Sequence, residues 1–312
     1  MDEVIIVSSP KAGSGAGREQ IPRLVEMLTE SEIHHHLTVS IDEMIDHVAR
    51  IRSTGEAEPL VIAAGGDGTV SLVAKHLDCE TRILPLPLGT ENLLAKYFGH
   101  SCNAAHVMQT IRTGTEFRLD AGLANGQLFL VMVSCGFDAD VVRRLHLKRR
   151  GHIRKFSYAK PIWQSLMRYS FPRIRVSLGF NGIDPPTGTA VGDGDEVAWA
   201  MVFNLPKYGG GLHIIPDSVG NDGKLDLITM KNGSVFHGLR YVMGIATGRH
   251  QTFSDVKRCQ ATKLRLESER RVPYQVDGDY AGRLPLEIEI LPSRVRLLVP
   301  VEFANAHGSL TT

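Results

Sequence analysis

Two glycines, an aspartate, a third glycine and a threonine follow one another at Gly65, Gly66, Asp67, Gly68 and Thr69. A buried apolar strand is expected over 60–64, directly before them, and a helix near Val70, directly after. Glycines permit positive φ and let backbone N–H groups approach phosphate oxygens with no Cβ in the way. The N-terminus of the following helix adds partial positive charge that favours an anion. Asp67 is the odd member, since a carboxylate repels phosphate unless it holds a cation or handles a proton. It also suits a plain strand-to-helix turn in which it is the N-cap.

Two further loops have the same strand–loop–helix setting. Residues 9–17, Ser-Pro-Lys-Ala-Gly-Ser-Gly-Ala-Gly, supply glycines, hydroxyls and Lys11. They lack the closing GK[ST] of a Walker loop and do not fit GxGxxG spacing, so alone they are equally a flexible loop. Leu88, Gly89, Thr90, Glu91 and Asn92 form the third. Three such loops leaving one sheet would converge at its C-terminal edge.

The elements needed to hold those loops are readable in the first third of the chain. Strands are expected over 4–7, 35–40, 60–64 and 82–86, alternating with amphipathic helices over 18–30 and 42–53. That alternation predicts a parallel α/β sheet. From about Phe117 the texture changes. Asn125-Gly126 between apolar runs fits a type I′ hairpin turn. β-rich runs follow at 173–179, 197–204, 224–229, 263–267, 272–276, 286–291 and 295–299, interrupted by helical stretches at 137–169 and 234–247. Residues 181–195, with two prolines and four glycines, read as a surface loop. The second part reads as an antiparallel β-sandwich. The expected division is 1–116, an α/β nucleotide-binding domain, and 117–312, a β-sandwich, with a C-terminal tail that could return to the first.

Composition agrees with a protein that has a real core: 43% hydrophobic and 22% charged residues over 312 positions. The four cysteines, Cys79, Cys102, Cys135 and Cys259, never form a CxxC pair and read as reduced thiols. The start, MDEVIIVSSPKAG, carries acids where a secretion signal carries bases. No apolar run approaches the length of a membrane span. A cytoplasmic protein with at most peripheral membrane contact is expected.

At this point the motifs resemble a family. GGDGTV followed by PLPLGTENLLAKYFG is similar to the diacylglycerol-kinase catalytic domain family, which includes bacterial lipid kinases, sphingosine kinases and ceramide kinases. The resemblance takes in SSPKAGSGAG, Asp120-Ala-Gly, the segment Ser134-Cys-Gly-Phe-Asp-Ala-Asp140, Asn204-Leu-Pro-Lys-Tyr-Gly-Gly-Gly211, Asn221-Asp-Gly-Lys-Leu-Asp226 and Val276-Asp277-Gly278-Asp279. NAD kinases and phosphofructokinases share the glycine loop but not the GTEN or GFDAD segments.

The resemblance implies ATP contacts from Gly65, Gly66, Asp67, Gly68, Thr69, Val70 and Ser71, from Gly89, Thr90 and Asn92, and from a hydroxyl at Ser40. It implies Mg²⁺ held by the Asp222 carboxylate with the backbone carbonyls of Val219 and Lys224 beside it. The family's proton acceptor falls at Asp279, where relatives carry a glutamate. That departure leaves Asp67 and Asp279 both open as the base. Asp140 aligns with an acid that sphingosine kinases turn toward their lipid head group; a solvated helix acid is the other reading. The segments around Asp222 and Asp279 also read as simple turns.

Net charge is only +1, yet no acid occurs between Asp140 and Asp184, an interval with eleven of the 35 lysines and arginines. Arg143, Arg144, Lys148, Arg149, Arg150, Arg154, Lys155 and Lys160 interleave with Ile153, Phe156, Ile162, Trp163, Leu166 and Met167. Bases and aromatics in this pattern suit peripheral contact with an anionic membrane through 143–169, or else a helix packed by one face and solvated by the other. Nothing resembles a nucleic-acid-binding motif. His34, His35 and His36 would point to alternate faces of a strand, a poor metal site.

Together these readings predict an ATP- and Mg²⁺-dependent lipid kinase in phospholipid metabolism, its active site in a cleft between the two domains. Its acceptor would be a hydroxyl of a diacylglycerol-like or sphingoid lipid. A kinase of a soluble hydroxyl substrate such as a nucleoside or sugar, and a nucleotide-binding regulator without turnover, are the alternatives.

Overall fold

Strand β1 (Glu3–Ser8) is apolar at every central position, and this makes it the middle of a sheet and not its edge. A computed structural model gives the fold and describes residues 3–8, 17, 19–55, 58–147, 159–179 and 191–306. The chain divides into two units: one takes residues up to Asp120 and resumes at Ser293, the other is Ala121–Pro292.

In the first unit β1 is followed by α1 (Gln20–Glu30), β2 (His35–Thr38), α2 (Ile41–Thr54), β3 (Pro59–Gly65), α3 (Asp67–His76), β4 (Arg82–Pro87), α4 (Leu93–Tyr97), α5 (Ala104–Thr113) and the start of β5 (Thr115–Ala124). Strand β1 pairs in parallel with β2 and β3, and β3 with β4. Parallel strands need helical crossovers, and both faces are covered accordingly. Val4, Ile6, Leu60, Ile62, Leu84 and Leu86 pack against Leu24 and Leu28 of α1 and Val107 and Met108 of α5. Helices α2 and α3 contact β1 and β3 with Met44, Val48, Ile51, Val70 and Val73 buried. The expected strand over 35–40 stops at Thr38, because Ser40 is the N-cap of α2 and its hydroxyl accepts the Glu43 N–H at 3.3 Å.

The second unit adds β6 (Gln127–Phe129), β7 (Met132–Cys135), α6 (Phe137–Leu147), α7 (Ala159–Arg168), β8 (Ile174–Leu178), β9 (Glu196–Val197), β10 (Trp199–Phe203), β11 (Lys207–Tyr208), β12 (Leu212–His213) and β13 (Leu225–Met230). After these come α8 (Val235–Ala246), β14 (Val256–Ala261), β15 (Lys263–Glu267), β16 (Pro273–Val276), β17 (Asp279–Arg283) and β18 (Leu286–Val299). One antiparallel sheet runs β14-β13-β10-β7-β16-β17. A second antiparallel set, β9-β8-β15 and the first half of β18, lies across a shared core from it. Val133, Ala200, Val202, Leu225 and Leu227 from one sheet meet Ile174, Val176, Leu264, Leu266 and Ile288 from the other. The hairpin expected at Asn125-Gly126 is present, with φ of 48° and 80° and Ala124 facing Gln127.

The runs expected separately at 286–291 and 295–299 are one strand. Residues 286–289 pair with β15, and residues 296–297 pair in parallel with β4 in the first unit's sheet. The chain then ends its described part in α9 (Val301–Ala306), whose Phe303 stacks edge-on against Phe98 at a centroid distance of 4.9 Å. Phe98 in turn meets Phe117 at 5.0 Å. This aromatic cluster anchors the end of α4. Residues 9–16, most of the first glycine loop, lie outside the described residues. So do Lys148, Arg149, Arg150, Ile153, Arg154, Lys155 and Phe156 of the basic stretch.

His100, just after α4, is buried, and neither ring nitrogen has a hydrogen-bond partner among the described residues. Burial, with a smaller push from His106, lowers its imidazole from 6.5 to about 3. The folded state therefore holds it neutral while the unfolded chain takes up a proton below 6.5. Stability from this group is full above 6.5 and is lost as pH falls toward about 3, at up to about 1.4 kcal/mol per pH unit. Denaturant unfolding of the wild type and His100→Leu at pH 7 and pH 5 should show a smaller acid-side loss in the variant. Equal losses would remove His100 from the acid response.

Candidate phosphate loops and a buried acid network

Strand β3 is buried at all seven positions, and its last residue is Gly65. A Cβ there would lie 2.6 Å from Thr69 Cβ, closer than such atoms approach. Glycine lets the first turn of α3 fold back over the strand end, with the Thr69 N–H donating to Gly66 O at 2.9 Å. On the neighbouring strand Leu88 donates its N–H to Gly65 O at 2.8 Å. The Gly66 and Gly89 backbones then come together: a Cβ on Gly89 would sit 2.7 Å from Gly66 Cα. Two of the three predicted loops thus touch at the C-terminal edge of parallel β3 and β4.

The Asp67 carboxylate fastens them. Leu93 donates its N–H to Oδ2 at 2.7 Å and Leu94 donates to Oδ1 at 3.0 Å. Asp67 thus caps α4 across 26 residues of sequence, where the sequence suggested a cap on its own helix or a free reactive acid. Asn92 is likewise committed: its side-chain amide donates to Gly89 O at 2.8 Å and its oxygen accepts the Gly89 N–H at 3.0 Å. It holds φ at 50°, which closes the turn. Val70 is buried and can offer a ligand only backbone. Gly68 and Thr90 are exposed, and no heavy atom lies within 4 Å of a Cβ built on Gly68. The open backbone at Gly68 suits contact with a phosphate at the start of α3.

In the second unit the late motifs meet around one buried acid. Asp138, at the start of α6, accepts hydrogen bonds from the Ser134 and Tyr208 hydroxyls. Gln275 Nε2 lies 3.5 Å from its Oδ2 and 2.9 Å from Ser134 Oγ. Burial raises the Asp138 carboxyl above the ordinary carboxylate range, and those three donors only partly offset it. Gln275 Oε1 accepts the Gly278 N–H at 2.7 Å, which carries the network to the turn before Asp279. That turn is a hairpin: Val276 faces Asp279, and Asp277 and Gly278 have φ of 46° and 88°. The Asp277 carboxylate accepts the N–H groups of Leu130, Val131 and Met132, each at 2.9 Å. Asp279 itself is exposed, at the first position after the turn. The turn geometry read from the sequence is therefore real, and it is what presents Asp279. The quoted motifs held Ser134, Asp138, Tyr208 and Gly278 but not Gln275, which directly precedes the last of them, and no local pattern signals that Asp138, Tyr208 and Gln275 belong to one cluster.

Asp140 is not a solvated acid. Arg143 donates to its Oδ1 at 2.6 Å, Arg144 to its Oδ2 at 2.6 Å and Ser165 to Oδ2 at 2.8 Å. Burial alone would raise its carboxyl, but these bonds outweigh that and hold it below the ordinary range. Asp222 sits in an exposed turn, with its Oδ1 accepting the Lys224 N–H at 3.0 Å and Gln260 Nε2 3.3 Å from its Oδ2. Gly223 follows at φ 71°. Val219 is half-buried. A carboxylate flanked by peptide carbonyls is an all-oxygen donor set that suits Mg²⁺.

The histidine run is joined by partners the sequence did not suggest. His36 stacks on His47 of α2 at a centroid distance of 3.7 Å, and its Nε2 lies 3.2 Å from Glu43 Oε1. Donor atoms of these three residues lie within 4.8 Å of one another. The cluster already has a cation, however: Arg50 Nη2 donates to His47 Nδ1 at 3.0 Å and to Glu3 at 2.8 Å. All four cysteines are free thiols.

These loops and this sandwich match known domains. Residues 3–124 match the diacylglycerol kinase catalytic domain. Residues 131–299 match the YegS C-terminal NAD kinase beta sandwich-like domain. The chain belongs to the diacylglycerol-kinase catalytic-domain family of lipid kinases. The diacylglycerol kinase of Bacillus subtilis (strain 168) is 23% identical over 311 residues, covering 98% of this chain and 99% of the relative. That of Mycobacterium tuberculosis (strain ATCC 25618 / H37Rv) is 27% identical over 311 residues, with 96% and 95% covered. A solved structure of a diacylglycerol kinase from Bacillus anthracis str. Sterne has the same fold, with TM-score 0.68, 22% identity and 96% and 97% coverage.

The Asp67 clamp makes a stability prediction distinct from any catalytic one. In Asp67→Asn one backbone N–H would face an amide NH₂ in place of a carboxylate oxygen. Chemical denaturation should register a loss on the order of 1–3 kcal/mol. An unchanged unfolding midpoint would mean that the two amide bonds contribute nothing.

Proposed function

We propose that this protein transfers the terminal phosphate of ATP to a hydroxyl of a diacylglycerol-like lipid. The observation that carries the proposal is the contact of the Gly66 and Gly89 loops at one sheet edge, each followed by a helix. The names of the relatives, diacylglycerol kinases over nearly their full lengths, support the lipid acceptor.

In this reading the backbones of Gly65, Gly66, Gly68, Thr69, Val70 and Ser71, with Gly89 and Thr90, hold the triphosphate, and Ser40 contributes from the N-cap of α2. Asp67 and Asn92 shape the loops and act through them. Asp222, with the carbonyls of Val219 and Lys224, would hold Mg²⁺, which neutralises phosphate charge during transfer. Asp279 takes the proton of the lipid hydroxyl as its oxygen bonds to the γ-phosphorus and the bond to the β-phosphate bridging oxygen breaks, releasing ADP. Exposure on a rigid hairpin supports Asp279 as this base, while both Asp67 oxygens already accept amides. Asp140 is a positioning residue that joins α6 to α7 through Ser165. The basic stretch 143–169 favours contact with an anionic membrane surface, and among the described residues no helix is long and apolar enough to cross one.

Incubation with labelled ATP, Mg²⁺ and a total lipid extract should place label in the organic phase, on a lipid monoester identifiable by mass. Label confined to the aqueous phase would point to a soluble acceptor, and tight ATP binding without transfer to a regulator. Asp279→Asn should lower turnover by roughly 10²-fold or more with the melting temperature unchanged, whereas Asp279→Glu should retain activity. Asp222→Ala should raise the Mg²⁺ concentration needed for half-maximal rate. Full activity in Asp279→Asn would return the base assignment to another group.

A further inference from the structure

Helix α8 has an unusual distribution of apolar residues. Gly238, Tyr241, Gly244 and Ile245 are buried on one side. Val235, Phe236, Leu239 and Met243 are exposed, and at 100° per residue they fall within one ~100° arc on the other. A helix apolar on both faces has a second apolar environment to enter. Its neighbour α7 repeats the arrangement: Leu166 is buried, while Trp163 and Met167, one turn apart, are exposed. The two helices pack where glycine allows it, since a Cβ on Gly238 would lie 3.1 Å from Leu166 Cδ2.

Six of the ten exposed large hydrophobic residues among the described residues lie on these two helices, with exposures from 41% at Val235 to 72% at Phe236. Along the sequence of the two helices and their flanks the charge has one sign. No Asp or Glu occurs from 159 to 179 or from 231 to 254, while Arg168, Lys231 and Arg249 are exposed there. Arg240, the one arginine within α8, turns to Asp255 and lies over the Phe253 ring at 4.5 Å, away from the stripe's chemistry. A protein partner would need to match six apolar side chains with an acidic rim; an anionic bilayer offers both a hydrocarbon layer and phosphate charge over the whole area.

We propose that α7 and α8 form a membrane-docking face, with Trp163, Met167, Val235, Phe236, Leu239 and Met243 entering the interfacial layer of an anionic bilayer. Arg168, Lys231 and Arg249 meet its head groups. The proposal extends the lipid-kinase reading by giving the protein a way to reach an acceptor that does not leave the membrane. Docking itself involves no turnover.

The test uses vesicles of phosphatidylglycerol and phosphatidylcholine without ATP. The wild type should co-sediment with them, more strongly as the anionic fraction rises, and its tryptophan emission should shift to the blue. The chain has two tryptophans and Trp199 is 4% exposed, so the shift reports Trp163. Phe236→Ser with Met243→Ser alters only exposed side chains, so melting temperature and ATP affinity should hold while vesicle affinity falls roughly tenfold. Undiminished vesicle binding by the double variant overturns the proposal. So does a wild-type dimer that the double variant splits, since the face would then belong to a second copy. Vesicle binding through this face with no lipid ever labelled would leave docking standing and remove the kinase reading. Lipid labelling with an unaffected double variant would do the reverse.

Discussion

The two amide hydrogen bonds to Asp67 are the constraint on which the first unit's loops depend. The glycine loop and the GTEN loop both leave buried parallel strands, whose ends the Leu88 N–H to Gly65 O bond holds together at 2.8 Å. Beyond the strand ends the carboxylate fastens the two loops by accepting from the first two amides of α4, at 2.7 and 3.0 Å. Charge-assisted bonds of this kind are about twice as strong as neutral ones, and they satisfy donors that a short helix leaves open. The far end of α4 is then fixed by Phe98 against Phe117 and Phe303. Gly66 and Gly89 can approach because neither has a side chain, and they are held close because Asp67 and Asn92 leave them no alternative.

The second unit uses the same device with a different turn. Asp277 accepts three successive amides from Leu130 to Met132. Those bonds tie the hairpin before Asp279 to the entry of β7. Gln275 then joins Gly278 to Ser134 and Asp138, so the hairpin, the start of α6 and the β11 tyrosine share one buried network. A half-satisfied buried acid would be costly, and Asp138 avoids that by facing three donors. An acidic residue in a glycine-rich motif is thus as much a fastening as a reagent.

What the sequence revealed and what it concealed divide along that line. Strand–loop–helix alternation, the Asn125-Gly126 hairpin and the buried run before Gly65 rest on local periodicity and turn chemistry, and they were legible. The partners of Asp67 lie 26 and 27 residues away and those of Asp277 about 146, beyond the range of any local pattern. Asp140 read as a solvated acid because its arginine partners sit one turn along the same helix, where the sequence also reads as a basic patch. The long strand β18 read as two because Pro292-Ser293 interrupts its apolar pattern, and Ser293 takes φ of 50° there. The outward stripe of α8 was present in the letters as apolar residues on both faces. Sequence alone does not say which of the two faces is covered.

These constraints also bear on the choice between the two candidate bases. A base must be able to accept a proton without losing what holds it, and protonating Asp67 would remove an acceptor from a backbone N–H at the helix α4 entry. The two loops that it fastens would loosen in the same step. Asp279 is exposed, and Asp277 and Gln275 anchor the hairpin that carries it. An aspartate where the resemblance implies a glutamate would shorten the reach by one methylene, and the carboxylate follows a two-residue turn whose central φ values are both positive. Such a turn matches the right-handed twist of the two strands it joins. Both candidates are aspartates of equal length, so what separates them is that the Asp67 oxygens already cap α4.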